Sequence, residues 1–384
     1  MPNRREFLTT IAIAGVAGGM RALSYTPPPP DIEDDSPSDS EPLRILILGD
    51  TGFIGQHHVS AALARGHKVS VFCKTPMVLP SAVEQLTGDR NGDLGSAQDR
   101  DWDAVIDTAT YVPFRVRTLG LALKGRVKHY TFISSIDVYD HPGANATGTD
   151  EKSNLVEYKD ATDPYSITQA EGKQYGPLGV LCEREAEKQF PGRTLIVRPG
   201  AVIGPGDPAG AFTYWPVRIE KGGETLAAGD PSVRVQMIDV RDMADWVIRM
   251  AESTGTGTFN TVGPALPMCW ADMLGALRGR TSAPVTLTWV PDTWLQEQMV
   301  PPLSNLRFWP SEAAKPGSMH MSNSKALERG MTLRPLAQTA ADTLAWYKSQ
   351  PKHSQAQLLL GLNGMFSLED SMEHERDLLK AWHS

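Results

Sequence analysis

Apolar positions in the first half of this chain fall in short runs separated by stretches of helical period. Leu43-Arg-Ile-Leu-Ile-Leu48 is a nearly continuous apolar run of strand length, the pattern of a strand buried on both faces. It leads through Gly49-Asp-Thr-Gly52-Phe-Ile-Gly55 into an amphipathic helix that Arg65-Gly66 closes. His67–Cys73 reads as a second strand, Trp102–Ala109 as a further one and His129–Ser135 as another. Tyr175-Gly-Pro-Leu-Gly-Val-Leu-Cys-Glu-Arg-Glu reads as a helix with proline near its start. Strands alternating with helices predict an α/β fold with a doubly wound parallel sheet. From Ala265 helices and short strands alternate without a repeat. Leu368, Met372, Leu378, Leu379 and Trp382 then keep helical spacing behind Ser367, a plausible cap.

The chemistry of this pattern lies first in the glycine turn. G-x-x-G-x-x-G between an apolar strand and a helix suits a dinucleotide: the first glycine permits the tight turn, the second lets backbone approach the pyrophosphate, and the third lets helix pack on strand. The helix start offers free N–H groups to the phosphates. The end of the second strand is where an Asp or Glu would hold the ribose hydroxyls; here stand Cys73 and Lys74. Without an anion to repel a 2′-phosphate and with a cation to pair with it, the site leans toward NADP over NAD. A solvated loop lysine is the plainer reading of Lys74.

Composition narrows the partners. The chain of 384 residues is long enough for one large or two ordinary domains. It has no run of 18 or more apolar residues, and 21% of its residues are charged, which excludes a helical membrane span. A formal net charge of −8 argues against nucleic acid as the main partner. Cys73, Cys182 and Cys269 show no metal-ligand or disulfide spacing, and His57-His58 fits helix surface or packing better than a metal site. Asn3-Arg4-Arg5-Glu6-Phe7-Leu8-Thr9 precedes a short apolar stretch and resembles a twin-arginine export signal, over residues 1–24, with Asn3 and Thr9 departing from the usual residues and no clean A-x-A cleavage site following. That resemblance implies a folded protein exported to the periplasm or outside the cytoplasm; a frayed basic terminus, and a cytoplasmic protein, is the alternative. Residues 25–42 combine proline, serine and acid and are expected to be a disordered tether.

Gly49-x-x-Gly52-x-x-Gly55, Ser134-Ser-Ile-Asp-Val-Tyr139, Tyr175 at a helix head and Val197-Arg-Pro199-Gly together resemble the extended short-chain dehydrogenase/reductase family, and within it the NAD-dependent epimerase/dehydratase branch. The resemblance covers about residues 43 to 350 and implies a Rossmann-like sheet over 43–204, with a smaller mixed α/β substrate-binding region over 205–384 that returns some segments to the sheet. It implies hydride transfer on a carbonyl or hydroxyl of a small, sugar-like molecule, and a homodimer as one assembly. Cofactor contacts implied are Gly49, Thr51, Gly52, Phe53, Ile54, Gly55, Lys74, Asp89, Thr108, Ala109, Ser134, Tyr175 and Pro199, with Ser135 and Tyr175 catalytic. Segments 204–208, 212–216 and 236–244 resemble those that shape the branch's substrate side.

Hydride transfer at a carbinol needs a base for the hydroxyl proton, a donor for the oxygen and a cation to make the base available. A tyrosine phenol of reference pKa about 10 is only about a thousandth ionised at pH 7. The family lowers that value with a lysine four residues on, one helical turn along the same face. Here that position is Gly179. Lys173 would point about 160° away on a continued helix, a geometry that lapses if it falls in the preceding loop, and Arg184 lies more than two turns on. Tyr165, a rival tyrosine, is followed at the fourth place by Gln169. Trp215, Trp246 and Trp270 fit packing, and Asp239-Val-Arg241-Asp242 fits a structural ion pair better than cleft charges. Two readings stand: an enzyme in which another group does part of the lysine's work, and a nucleotide-binding module with lost or weakened catalysis.

Overall fold

The computed structural model describes residues 41–49, 52–108, 111–140, 148–170, 172–207, 210, 212–298, 319–352, 354–355 and 368–384. The signal-like segment, nearly all of the tether, Thr51, Ala109 and Ser367 lie outside them.

Seven parallel strands form the main sheet: β1 (Arg44–Leu48), β2 (Lys68–Cys73), β3 (Glu84–Thr87), β4 (Trp102–Asp107), β5 (Val127–Ile133), β6 (Thr194–Pro199) and β10 (Gly257–Thr261). Their order is β10-β6-β5-β4-β1-β2-β3, the doubly wound Rossmann order extended by one strand. The strand expected to run to Ala109 ends at Asp107, where pairing with β1 stops at Leu48. Alternation along each strand sorts its side chains onto two cores. Ile45, Ile47, Val69 and Val71 face α1 (Phe53–Ala64) and α5 (Val240–Glu252). Leu46, Leu48, Phe72 and Val105 face the side of α2 (Pro113–Ala122) and α3 (Tyr175–Gln189). Burial on both faces explains the unbroken apolar run of β1.

The second region carries a three-stranded sheet, β11-β9-β7, from Gly263–Cys269, Arg234–Asp239 and Ala201–Ile203. A parallel pair joins β12 (Val285–Val290) to β8 (Gly223–Ala228). Around them pack α4 (Tyr214–Glu220), α6 (Trp270–Arg278), α7 (Asp292–Glu297), α9 (Leu336–Ser349) and α10 (Leu368–Trp382), while α8 (Ser324–Glu328) packs on β10 of the main sheet. Trp215 and Trp270 meet edge to face at 5.0 Å inside this core and Trp246 is buried in the other, so all three tryptophans are packing residues. The chain crosses between regions more than once, since β10 and α5 follow β7 to β9 yet belong to the main sheet and its core.

His57 and His58 are both buried in α1 rather than on its surface. His57 Nε2 meets the Pro205 carbonyl at 2.8 Å and His58 Nδ1 the Ile54 carbonyl at 2.9 Å. Asp239 caps α5 and pairs with Arg241 at 2.7 Å, and Arg241 also pairs with Asp342 on α9 at 2.6 Å: a structural ion network, as expected of those charges.

Candidate active site

The switch point of the sheet lies between β1 and β4, whose carboxyl ends open side by side, the place where doubly wound folds bind nucleotides. Gly49 leaves β1 at φ 114°, a conformation that side chains avoid, and its N–H donates to Phe72 O at 3.1 Å. Gly52 then stands at the N-cap of α1, whose first turn holds Phe53, Ile54 and Gly55 and no acidic side chain. Such a helix start presents unopposed N–H groups to an anion. Thr108, just past β4, bonds back to Leu48 O through its hydroxyl at 3.2 Å, fixing the opposite lip.

Beside this turn, past the ends of β2 and β3, cations collect. Lys74 is exposed and stands 3.6 Å from Asp89. Asp89 is held below the usual carboxylate range, chiefly by the Asn91 N–H and also by Lys74 and Arg115. Arg90 was not among the sequence candidates. Its Nη2 pairs with the fully buried Asp107 at 2.6 Å, while its Nε and Nη1 are buried with no hydrogen-bond partner. Arg115, on the first turn of α2, donates to Asn91 Oδ1 at 3.1 Å. Burial and the neighbouring Arg90 charge both push its guanidinium down. Two arginines and a lysine thus stand beside two carboxylates, Asp89 at the surface and Asp107 in the interior. The missing acid after β2 was legible in the sequence; the two arginines, 16 and 41 residues past Lys74, followed no motif that reading used.

The chemical end is built from β5 and α3. Ser134 and Ser135 follow β5, and Ser135 begins the 3-10 turn Ile136–Val138: its Oγ accepts from Asp137 N at 3.1 Å and donates to Asp137 Oδ2 at 3.2 Å. The first turn of α3 sits directly on this segment, since a Cβ at Gly176 would collide with the Asp137 carbonyl. Tyr175, next to Gly176, is therefore brought close to the Ser135–Asp137 turn. Its ring lies on that of Tyr111 with centroids 4.0 Å apart and an interplanar angle of 33°. The Tyr111 hydroxyl donates to Ser134 O at 2.8 Å. Burial raises the Tyr175 phenol above its ordinary range, and the Asp137 and Cys182 charges push the same way. The ionisation that a basic tyrosine needs is opposed.

Gly179 is buried, and a side chain there would meet Val138 and Tyr111 closely. A Cβ there would lie 3.1 Å from Val138 Cγ1 and 3.3 Å from Tyr111 Cδ1. The alternative cations lie elsewhere: Lys173 is exposed in the 3-10 turn Gly172–Gln174, and Arg184 is exposed on α3. Tyr165 donates to Glu185 at 2.8 Å and carries Arg117 3.4 Å above its ring, a surface cluster.

Beneath the serines a buried polar chain ties the pieces together. Ser134 Oγ donates to Glu183 Oε1 at 2.6 Å, and Arg198 clasps Glu183 through Nε at 2.9 Å and Nη2 at 2.6 Å. Arg198 Nη1 donates to the Tyr139 hydroxyl at 2.8 Å, which donates to Asn260 Oδ1 at 2.6 Å. Burial pushes the Tyr139 phenol up to about 12 despite Arg198, so it stays a donor. Pro199 closes β6 beside Arg198 and pairs in register with Thr261 of β10. The chain joins α3, β5, β6 and β10, with every link hydrogen-bonded, the condition under which buried charge is tolerated.

Comparisons with known proteins agree with this architecture. Residues 96–261 match the model of the NAD dependent epimerase/dehydratase family. A 3 beta-hydroxysteroid dehydrogenase/Delta 5-->4-isomerase of Mycobacterium tuberculosis (strain ATCC 25618 / H37Rv) is 27% identical over 188 residues, covering 43% of this chain and 48% of that protein. The chain thus spans about half the length of the curated relatives it matches. Among solved structures, UDP-N-acetylglucosamine 4-epimerase from Bacillus cereus superposes with a TM-score of 0.59 at 15% identity, covering 81% of this chain and 98% of that one. UDP-glucuronic acid 4-epimerase from the same organism, in complex with NAD, gives 0.55 at 17% identity, covering 85% and 100%. At such identities the likeness is one of fold. Residues 96–261, which hold both serines, Tyr175 and the clasped Glu183, are thus similar to the NAD dependent epimerase/dehydratase family.

Proposed function

We propose that this protein is an NAD(P)-dependent oxidoreductase or epimerase acting on a ring secondary alcohol or ketone. The observation that carries the reading is the convergence of Ser135 and Tyr175 beside a glycine turn that opens at the switch point of the sheet. The residues present fit a dinucleotide: Gly49 takes the turn, the first turn of α1 is free of acid, and Arg90 holds two unpartnered N–H groups. When bound, the nicotinamide would take or give the hydride. Ser135 and Tyr175 would hold the substrate oxygen, and Ser134, Thr108 and Pro199 would line the nicotinamide side.

The cofactor proposed is NADP. Lys74, Arg90 and Arg115 gather more positive charge than Asp89 balances, and a 2′-phosphate would satisfy the buried Arg90 donors. The substrate class is suggested by the relatives, whose names cite a 3 beta-hydroxysteroid and UDP-sugars; both carry a ring carbinol. The Arg4-Arg5 segment supports export of the folded protein, which fractionation of cells expressing the full chain would test.

A second reading, a nucleotide-binding protein with silenced catalysis, draws on the filled place at Gly179 and the raised Tyr175 phenol. Fluorescence titration with NADPH and NADH, followed by cofactor oxidation with a 3-ketosteroid and a UDP-4-ketosugar, separates the two. NADPH binding with turnover supports the oxidoreductase; binding without turnover supports the silent module; no binding of either nucleotide refutes both. Arg115→Ala should weaken NADPH about 10-fold or more while leaving NADH nearly unchanged, since a hydrogen bond to a charged group contributes about 1.5–3 kcal/mol. Equal loss for both cofactors would refute the 2′-phosphate assignment.

A further inference from the structure

We propose that Asp137 is the proton acceptor of this site, taking the substrate proton through the hydroxyl of Ser135, while Tyr175 holds the substrate oxygen as a hydrogen-bond donor. This rests on the oxidoreductase reading above and assigns the serine and tyrosine roles opposite to those the sequence pattern implies.

Three observations converge on it. Ser135 Oγ and Asp137 Oδ2 are 3.2 Å apart with the serine donating, so a proton path from the serine to a carboxylate already exists. The turn is fixed by the Asp137 N–H, which donates to the same Oγ at 3.1 Å. Asp137 is half-buried: it touches the site and also reaches water, to which an accepted proton can be passed. Tyr175 meanwhile is ill placed to be a base. Its phenol is raised, its ring is stacked on Tyr111, and the cation that would make it basic is replaced by Gly179, packed on Val138 and Tyr111. The titratable groups around this turn are Tyr111, Tyr175, Cys182 and Glu183, and the Asp137 charge acts on both tyrosines. Among them, Asp137 is the carboxylate hydrogen-bonded to Ser135.

The step balances. As a carbinol is oxidised, its C–H bond breaks with the electron pair passing as hydride to the nicotinamide. Its O–H bond breaks as Ser135 Oγ takes that proton and gives its own to Asp137 Oδ2, and the C=O bond forms. Ser135 is restored and Asp137 carries the proton to solvent. Reduction runs the same path backward, with Asp137 as the acid, and Tyr175 donates to the oxygen in both directions.

The test uses the full chain in two arms. In the first, tyrosinate absorbance is followed in wild type, Tyr175→Phe and Asp137→Asn, with and without NADP⁺. Tyr175 is expected to remain un-ionised to about pH 9 and beyond, and to ionise at lower pH once the Asp137 charge is removed. A Tyr175 phenolate near neutral pH, or no change in Asp137→Asn, would overturn the proposal whether or not a substrate is known. In the second, kcat and KM are measured against pH with the ketone that the wild type reduces. Asp137→Asn, which can still accept the Ser135 hydrogen bond, is expected to lower kcat by about 10² to 10⁴. KM should hold nearly constant, the pH dependence of kcat should change, and Asp137→Glu should recover part of the rate. Tyr175→Phe should lose less and keep the wild-type pH dependence. An active enzyme in which Tyr175→Phe changes that dependence and Asp137→Asn does not refutes the proton path alone; a wild type inert toward every ketone refutes the functional reading, and the proposal with it.

Discussion

Replacing Gly179 with lysine, which restores the residue that the family pattern calls for, is expected to cost stability and to leave turnover no higher than in wild type. The structure supplies the magnitude. Glycine to alanine in a helix interior is favourable by about 0.8–1.0 kcal/mol from propensity alone. The new Cβ, however, would stand 3.1 Å from Val138 Cγ1 and 3.3 Å from Tyr111 Cδ1, so both neighbours must give by a few tenths of an ångström. Gly179→Ala should therefore end within about 1 kcal/mol of wild type. Lysine adds three more carbons and an ammonium beyond that Cβ, and overpacking beside Val138 and Tyr111 costs about 1–3 kcal/mol. If Tyr111 swings aside to admit it, the 2.8 Å bond from its hydroxyl to Ser134 O is lost, about 1 kcal/mol more. The sum is about 2–4 kcal/mol. Tyr175, stacked on Tyr111, would move with it. Denaturant melts of wild type, Gly179→Ala and Gly179→Lys, read beside the ketone-reduction rate, test this directly. A lysine variant as stable as wild type and faster by tenfold would show that the pocket still accepts the side chain, and the packing argument would be wrong.

Two other outcomes follow from buried groups. Glu183→Gln leaves Arg198 buried without its carboxylate, and breaking such a pair costs about 3–5 kcal/mol; a denaturant midpoint shift equivalent to less than about 1 kcal/mol would show that the Ser134–Glu183–Arg198 chain does not hold α3 to the sheet. Burial lowers both His57 and His58 to about 4 from an ordinary 6.5, so each favours folding fully above pH 6.5 and loses that contribution as pH falls through the folded value. The loss is about 3 kcal/mol each by linkage, and His58→Gln should flatten the stability profile between those two pH values; an unchanged slope would refute it.

Much of the fold was legible because buried parallel strands announce themselves. Leu43–Leu48 is apolar at nearly every position since both of its faces meet a core, and the glycine turn behind it allows few other uses. The helix that carries Tyr175 and the strand that ends at the serine pair were legible as elements. What spacing could not show was the solvent state of each group. His57 and His58 sit on a helix whose sequence leaves surface and core equally open, and only the packing of α5 and the Pro205 loop over α1 buries them. The arginines of the ribose side were hidden for a related reason: Arg90 becomes a candidate only when the ends of β3 and β4 bring it to Asp107 with two donors unpaired. Asp137 was read as one letter of a motif, and its chemistry emerges only when the 3-10 turn folds its carboxylate back onto Ser135.

The replaced lysine and the stacked tyrosines make one arrangement. A lysine at 179 would need the volume that Tyr111 and Val138 occupy, and Tyr111 in turn is placed by its bond to Ser134 O and its contact with Tyr175. Ser134 is fixed from below by Glu183, one turn beyond Gly179 on the same helix. Position 179 therefore cannot change alone: a cation there disturbs Tyr111, Tyr111 holds the backbone of the serine pair, and that pair carries the Ser135–Asp137 contact. A site so interlocked keeps a rigid donor pair and a carboxylate within reach of it, and gives up the lysine that would have made the phenol a base. On the proposed reading, catalysis would run through the groups that this packing preserves, which are Ser135, Asp137 and a protonated Tyr175.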